Sequence, residues 1–360
     1  MDTPIGNVSV YRTMQWKKPL WLIRLINYEY WPFWILFFPA FFYWLYLGLK
    51  ARSLAYFSAA NPGIENGGVF GESKSDILKM IPDKYKPASV LVSESLQPAD
   101  LISLFHKTGF QYPVICKPDK GEMGFKVKRV ENESDLLIYL EETPVDFLIQ
   151  EFITWSEEYG VLYYRLPNGK SGISSLVAKE FLSVTGDGVN TVEELMNYSD
   201  RARLQLDNFK REKPALLSIV PDNGLTLQLE PIGNHCRGTK FINANNSITP
   251  QMVSVFDAIA KNMDGFNYGR FDLKVKRIDD LYTGENIRIM EVNGCTSEPA
   301  HIYGEDMNLW KVYRDIFSNM KIVNQIAIAN HKLGYPYVPI RKIVTETLQH
   351  FKMKRTSNGK

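Results

Sequence analysis

Residues 268–301 read YGRFDLKVKRIDDLYTGENIRIMEVNGCTSEPAH, and two runs within it, GRFDLKV and IRIMEVNG, alternate apolar and polar side chains as half-buried strands do. Each carries a carboxylate where such a strand would ordinarily avoid one, Asp272 in the first and Glu291 in the second. A carboxylate taken out of water costs several kcal/mol unless something pairs with it, so two on adjacent segments call for a shared cation. Glu291 and Asn293 are two apart, which on a strand puts them on one side. With Asp272 they offer oxygen ligands only, without His or Cys, a set that suits Mg²⁺ held together with water and phosphate oxygens. Arg270, permanently charged, could neutralise a transferring phosphoryl group. On these residues alone, edge-strand carboxylates pairing with Lys274 or Arg288 remain the plain alternative.

Working outward, strands and helices alternate but hairpins are frequent, which predicts an α+β chain with mixed or antiparallel sheets rather than a doubly wound fold. A capped helix is expected from Ser73 to Met80, stopped by Pro82, then strand ASVLVSES, a helix opening at Pro98 and a buried strand YPVICKP. Helix ESDLLIYLEE, strand DFLIQEFI and a hairpin turning at PNGK follow. Residues 192–212 and 250–264 read as helical, 215–230 as strand-like and 268–293 as a strand pair, before a final helix over 306–332 and a basic, mobile tail.

Two more segments bear on chemistry. PVICKPDKGEMGFKV delivers Lys117 from a strand into a turn containing Gly121 and Gly124, the layout of a lid whose backbone amides cover phosphates. It lacks the P-loop spacing, and a basic surface hairpin would read the same way. FLIQEFI ends a strand at Gln150 and Glu151, where backbone could pair an adenine edge, and Glu157 and Glu158 beyond it could accept from ribose hydroxyls or be solvated carboxylates.

The order of these motifs resembles the ATP-grasp superfamily over roughly residues 71–310. GRFDLK and EVNG are similar to the D-alanine–D-alanine ligase pattern, and LVAKEFLSVTGDGVNTVEELM to a region of cyanophycin synthetase-like ligases. The resemblance implies two α+β subdomains clasping ATP within residues 73–320, with a lid subdomain at about 110–190. It implies Lys74 and Lys117 at the nucleotide phosphates, Gln150, Glu151, Phe152 and Ile153 at the adenine hinge, and Glu158 or Glu157 at the ribose. Lys179 and Arg237 would lie near the phosphates and Arg270 near an acyl phosphate. Asp272, Glu291 and Asn293 would ligate Mg²⁺, two ions by the family pattern, with Mn²⁺ as a substitute. The implied activity is ATP-dependent joining of a carboxylate to an amine or thiol, releasing ADP and phosphate. An ATP-grasp phosphotransferase and a non-catalytic nucleotide-binding membrane scaffold are the rivals. The chain departs from the pattern where CTSEPAHIY replaces the ligase N-T-x-P-G continuation, so Ser297, Glu298 and His301 are candidates for a different second substrate.

A net charge of +2 over 360 residues exerts no global pull toward nucleic acid. Cys116, Cys236 and Cys295 are odd in number and lack metal-ligand spacing, which fits a reducing compartment. The stretch WPFWILFFPAFFYWLYLGL, Trp31–Leu49, has no charge and is about half aromatic. It reaches the lower part of the ~17 to 25 residues that span a bilayer, although Pro32 and Pro39 interrupt helix bonding. It starts late and lacks a small-residue cleavage site, unlike a cleavable signal. Lys17, Lys18 and Arg24 precede it and Lys50 and Arg52 follow it, so charge sets no orientation. Residues 1–55 are expected to associate with a membrane, as a spanning or an in-plane helix, with a buried core helix as the alternative. A Gly-rich loop over 56–72 would lead into the catalytic part on the cytoplasmic side, and 321–360 would hold a helix end and the tail.

Overall fold

The computed structural model describes residues 17–69, 71–121, 125–231, 233 and 235–357, with side chains through residue 348. The strands are β1 Ser89–Val92, β2 Val114–Pro118, β3 Lys128–Val130, β4 Phe147–Glu151, β5 Glu157–Arg165, β6 Ser171–Glu180, β7 Ser183–Thr185, β8 Thr226–Gln228, β9 Lys240–Asn243, β10 Tyr268–Val275 and β11 Ile287–Asn293. The helices are α1 Leu20–Ile26, α2 Phe33–Leu36, α3 Phe38–Ala51, α4 Lys74–Met80, α5 Pro98–Lys107, α6 Glu133–Glu142, α7 Val192–Met196, α8 Asp200–Arg203, α9 Leu206–Glu212, α10 Pro214–Leu217, α11 Pro250–Lys261, α12 Asp280–Thr283, α13 Leu309–Lys332 and α14 Ile340–Ser357. The class is α+β, as the frequent hairpins predict, and every described ladder of the two larger sheets is antiparallel.

The chain forms two compact units, one of residues up to Leu36 with Thr185–Leu225, the other of Phe37–Val184 with Thr226 onward. In the first, Arg201 pairs with Glu29 at 2.7 Å and lies over the Tyr30 ring, 5.8 Å from its centroid. The helix expected over 192–212 is broken here into α7, α8 and α9. Thr191 closes a capping box with Glu194 at the first start, and Ser199 accepts the Ala202 amide at the second. The strand expected over 215–230 is largely absent: α10 occupies its beginning, and only β8 at its end pairs, with β7. Pro214 at the first turn of α10, together with the Asp-Asn-Gly turn 222–224, favours helix and turn there.

The second unit contains a four-stranded sheet of order β1-β4-β2-β3 and a five-stranded sheet of order β11-β10-β5-β6-β9. Period-two alternation gives each an apolar face. In the smaller sheet Val92, Val114, Cys116, Phe147 and Ile149 pack with Leu101 and Phe105 of α5 and Leu136 of α6. In the larger, Val161, Tyr163, Phe271, Leu273 and Ile289 meet Met252, Phe256 and Ile259 of α11. A further core joins Leu47 and Ala51 of α3 to Val323, Ile326 and Ala327 of α13 and Ile343 of α14.

The aromatic run expected as one spanning or in-plane helix is divided between α2 and α3. Phe37 breaks it, Pro39 lies in the first turn of α3, and α3 has 14 residues, about 21 Å of helix against a hydrocarbon core of about 30 Å. Among the described residues no helix is long and apolar enough to cross a membrane. The C-terminal stretch expected to be a mobile tail is helical, α14 running to Ser357.

Candidate active site on the polar face of the five-stranded sheet

All candidate residues described lie in the second unit; Gly124 falls outside the described residues. The register of the larger sheet explains their grouping. Glu158 of β5 stands opposite Lys179 of β6 and Lys274 of β10, Asp272 stands opposite Gly160 and Glu291, and Arg270 opposite Asn293. Because alternate residues share a face, Glu158, Lys179, Lys274, Asp272, Arg270, Glu291 and Asn293 all project from the face opposite the apolar core. Gly160 keeps the middle of that face open, since a Cβ there would lie 3.4 Å from both Arg270 Cδ and Asp272 Oδ1 and 2.9 Å from Val177 Cγ1.

The side chains form one charge network. Lys179 Nζ is 2.8 Å from Glu158 Oε1 and 2.9 Å from Asp272 Oδ1, while Asp272 Oδ2 faces Arg270 Nε at 3.2 Å and accepts from Asn293 Nδ2 at 2.9 Å. Burial alone would push the Asp272 carboxyl up, but Arg270 and Lys179 hold it below the usual carboxylate range. Burial likewise works against the Lys179 ammonium, and Asp272 and Glu158 outweigh it, leaving its pKa above that of an ordinary lysine.

Lys117 reaches this network from β2. Its Nζ donates to Gln150 Oε1 at 3.0 Å and to the Met290 carbonyl at 2.9 Å. That carbonyl is free because β11 bulges: Asp272 pairs with Glu291 and Leu273 with Ile289, which leaves Met290 without a partner in the ladder. Burial pulls the Lys117 ammonium down to about 8, against the attraction of Glu291. Lys74, on the first turn of α4, donates to the Gly121 carbonyl and lies 3.9 Å from Glu291 Oε1. Ser73 starts that helix by accepting the Asp76 amide, as the sequence predicts.

At the hinge, the Glu151 amide bonds the Ala88 carbonyl at 2.9 Å, while the Phe152 ring lies under the Arg129 guanidinium and near Lys274. The Ile153 carbonyl accepts from Lys274 Nζ at 3.0 Å. Lys274 escaped the sequence reading as a site residue, although its spacing of two from Asp272 signals the shared face. Of the two ribose candidates, Glu158 is committed to Lys179, while Glu157 accepts from the Tyr159 hydroxyl at 3.0 Å. Arg237, the other cation expected near the phosphates, has its Nη1 3.4 Å from Glu230 Oε1.

Beyond Arg270, Ser297 Oγ accepts the Arg270 amide at 3.3 Å and donates to the Asn293 carbonyl at 2.8 Å. Glu298 accepts from Tyr303 OH at 3.0 Å, and its pKa is raised by burial against the pull of Arg270. His301 is buried between Ser175 Oγ at 2.8 Å and Asp315 Oδ2 at 3.1 Å, which makes it a structural tie rather than an accessible base. The sequence carries no sign of Asn61, which donates to the Gly67 and Tyr268 carbonyls and accepts from the Asn267 and Tyr268 amides, holding β10 to the glycine loop.

The donor set fits a hard divalent cation. Asp272 Oδ1 is buried without a hydrogen bond of good geometry, facing only the Lys179 charge, and Glu291 and Asn293 flank it on β11. Among the described residues no three His, Cys, Asp or Glu side chains converge as a metal cluster, so phosphate or water oxygens would have to complete the shell.

No protein-family model matches the chain, and no curated protein matches it in sequence. Among solved structures it is similar to a D-alanine–D-alanine ligase from Bacillus anthracis, at 15% identity over 73% of this chain and 69% of that one, with a TM-score of 0.42. It is also similar to the VanG D-Ala:D-Ser ligase from Enterococcus faecalis, at 13% identity, 74% and 61% coverage and a TM-score of 0.40. A bifunctional glutathione synthetase from Pasteurella multocida gives 17% identity, with 68% of this chain covering 36% of that one at a TM-score of 0.35. The chain thus spans little more than a third of the synthetase, and the case for the site rests on its own geometry.

Proposed function

We propose that the chain is an ATP-dependent ligase that activates a carboxylate as an acyl phosphate and passes the acyl group to an amine or other nucleophile. The observation that carries this reading is the cluster at one sheet face, where Asp272, Glu291 and Asn293 project beside Lys179 and Arg270, while Lys117 of β2 reaches the Met290 carbonyl and Lys74 of α4 lies beside Glu291. Oxygen ligands ringed by cations suit phosphoryl transfer, where the protein chiefly positions groups and neutralises charge. Mg²⁺ held by Asp272, Glu291 and Asn293 would supply charge neutralisation at the phosphates.

In this reading the adenine lies against Phe152 and the Ile153 backbone, and Lys117 and Lys74 bind phosphate oxygens. A substrate carboxylate oxygen attacks the γ-phosphorus, and the bond to ADP breaks. Arg270 neutralises the charge on the phosphoryl group. The nucleophile then forms a bond to the acyl carbon, and phosphate leaves with the electron pair of the broken C–O bond. The exposed aromatic side chains of α3 favour a carboxylate met at a membrane surface, such as a lipid or lipid-linked acid, and the three free cysteines favour the cytoplasmic side.

The test is Mg²⁺-dependent ADP release with a panel of carboxylates and lipid extract, with hydroxylamine as the trap, run beside Glu291→Ala. Hydroxamate formed by the wild type and lost in the variant is the expected result. ADP with a stable phosphorylated product and no hydroxamate would turn the reading to a phosphotransferase, and ATP binding without turnover to a scaffold.

A further inference from the structure

Helix α3 is apolar on both sides, and only one side is used by the protein. Ala40, Leu47 and Ala51 are buried, the Tyr43 ring meets Phe317 of α13 at 4.9 Å, and Asn324 of α13 donates to the Leu47 carbonyl at 3.1 Å. The opposite side carries Phe38, Phe41, Phe42, Tyr46 and Leu49 at helical spacing, between 49% and 78% exposed. A solvent-facing helix ordinarily places charged and polar residues there, so a contiguous aromatic face marks a surface with a use.

We infer that this face of α3 lies in the plane of an anionic lipid surface, with its aromatic side chains among the headgroups and upper acyl chains.

Charge selects lipid over a protein partner. From Trp31 to Ile64 the chain has no Asp or Glu, and its two cations, Lys50 and Arg52, stand together at the C-terminal end of α3. Both are exposed, and neither makes an ion pair among the described residues. An apolar face ending in unpaired cations complements a surface that is greasy within and negative at its rim. Among Phe38, Phe41, Phe42, Tyr46 and Leu49, the Tyr46 hydroxyl is the sole side-chain hydrogen-bonding group. The face would give a protein partner few directional contacts, whereas a bilayer needs none. With its other side packed on α13, the helix can enter only by one face, about 5 to 10 Å deep. The inference does not depend on the ligase reading, since vesicle binding is measured without turnover.

The experiment is flotation of the full chain with phosphatidylcholine vesicles, with and without about a third phosphatidylglycerol, at low and high salt. The variants are F38S/F42S/L49S and K50Q/R52Q, each accepted only if circular dichroism and melting match the wild type. The wild type is expected to float with the anionic vesicles, to bind neutral ones more weakly and to be released by alkaline carbonate. The triple variant is expected to lose at least about tenfold in bound fraction, and the charge variant to lose its preference for anionic vesicles. A wild type that stays at the bottom of both gradients overturns the inference, as does a triple variant that floats like the wild type. Sedimentation showing a dimer that the triple variant dissolves, without flotation, would assign the face to a second copy instead. Single F38S and L49S variants keep the test decisive should the triple variant fail to fold.

Discussion

Lys117 combines three demands on one side chain: it must cross from β2 to the polar face, remain buried, and present a positive charge to phosphate. Buried between Gln150 and the Met290 carbonyl, its ammonium titrates at about 8 instead of the ordinary 10.5. The folded state therefore sheds this proton at a pH where the unfolded chain still holds it. The cost of burying the charge is present below pH 8 and is relieved as pH rises toward 10.5. Polyphosphate beside Lys117 would favour the charged form, so ATP binding at about pH 9 is expected to take up a sizeable fraction of a proton. Calorimetry in buffers of different ionisation enthalpy measures this uptake, which Lys117→Gln should abolish. Binding without proton uptake in the wild type would remove Lys117 from the phosphate site.

At the scale of elements, the turn after β11 is locked by the glycine loop before α4. A Cβ on Gly68, whose φ is +79°, would come within 2.7 Å of Gly294 Cα, and one on Gly294 within 2.6 Å of the Gly67 carbonyl oxygen. The Cys295 amide bonds that same carbonyl at 3.0 Å. Backbone thus packs on backbone immediately beyond Asn293, and only glycine permits it. Gly68→Ala is expected to cost about 1 to 3 kcal/mol in urea unfolding and to raise the Mg²⁺ concentration needed for turnover. Gly71→Ala is the control, because Gly71 has φ +73° but nothing within 4 Å of its would-be Cβ. It should show only the cost of the backbone conformation, about 1 kcal/mol, with an unchanged Mg²⁺ requirement. Equal Mg²⁺ dependence in both variants would separate the glycine loop from the ligand turn.

For the whole molecule, Lys117 and Lys274 of the site make no ion pair with a carboxylate among the described residues and bond amide or carbonyl oxygens instead, and nucleotide would supply the missing anions. ATP with Mg²⁺ at a hundred times its dissociation constant should stabilise the folded chain by about 2.7 kcal/mol. In a thermal melt this should appear as a rise of several degrees, larger with Mg²⁺ than with ATP and a chelator. Glu291→Ala should keep the shift given by ATP alone and lose the Mg²⁺ increment. An increment retained in full would exclude Glu291 as a ligand.

The sequence by itself determined what period and chemistry can express. Alternation placed β10 and β11, Ser73 marked the start of α4, PNGK marked the hairpin of β5 and β6, and the spacing of Glu291 and Asn293 put them on one side. These are local facts, set by backbone geometry within a few residues. Tertiary structure decided the rest because the causes lie far apart in the chain. The bulge that frees the Met290 carbonyl exists only where β11 pairs with β10, and Lys274 reaches Ile153 only across the fold. The aromatic run gave a hydropathy signal for the bilayer, yet Pro39 and the packing of Leu47 on α13 divided it into a buried and an exposed side. Hydropathy measures composition along the chain, whereas the partition of a helix's faces is made by what packs against it.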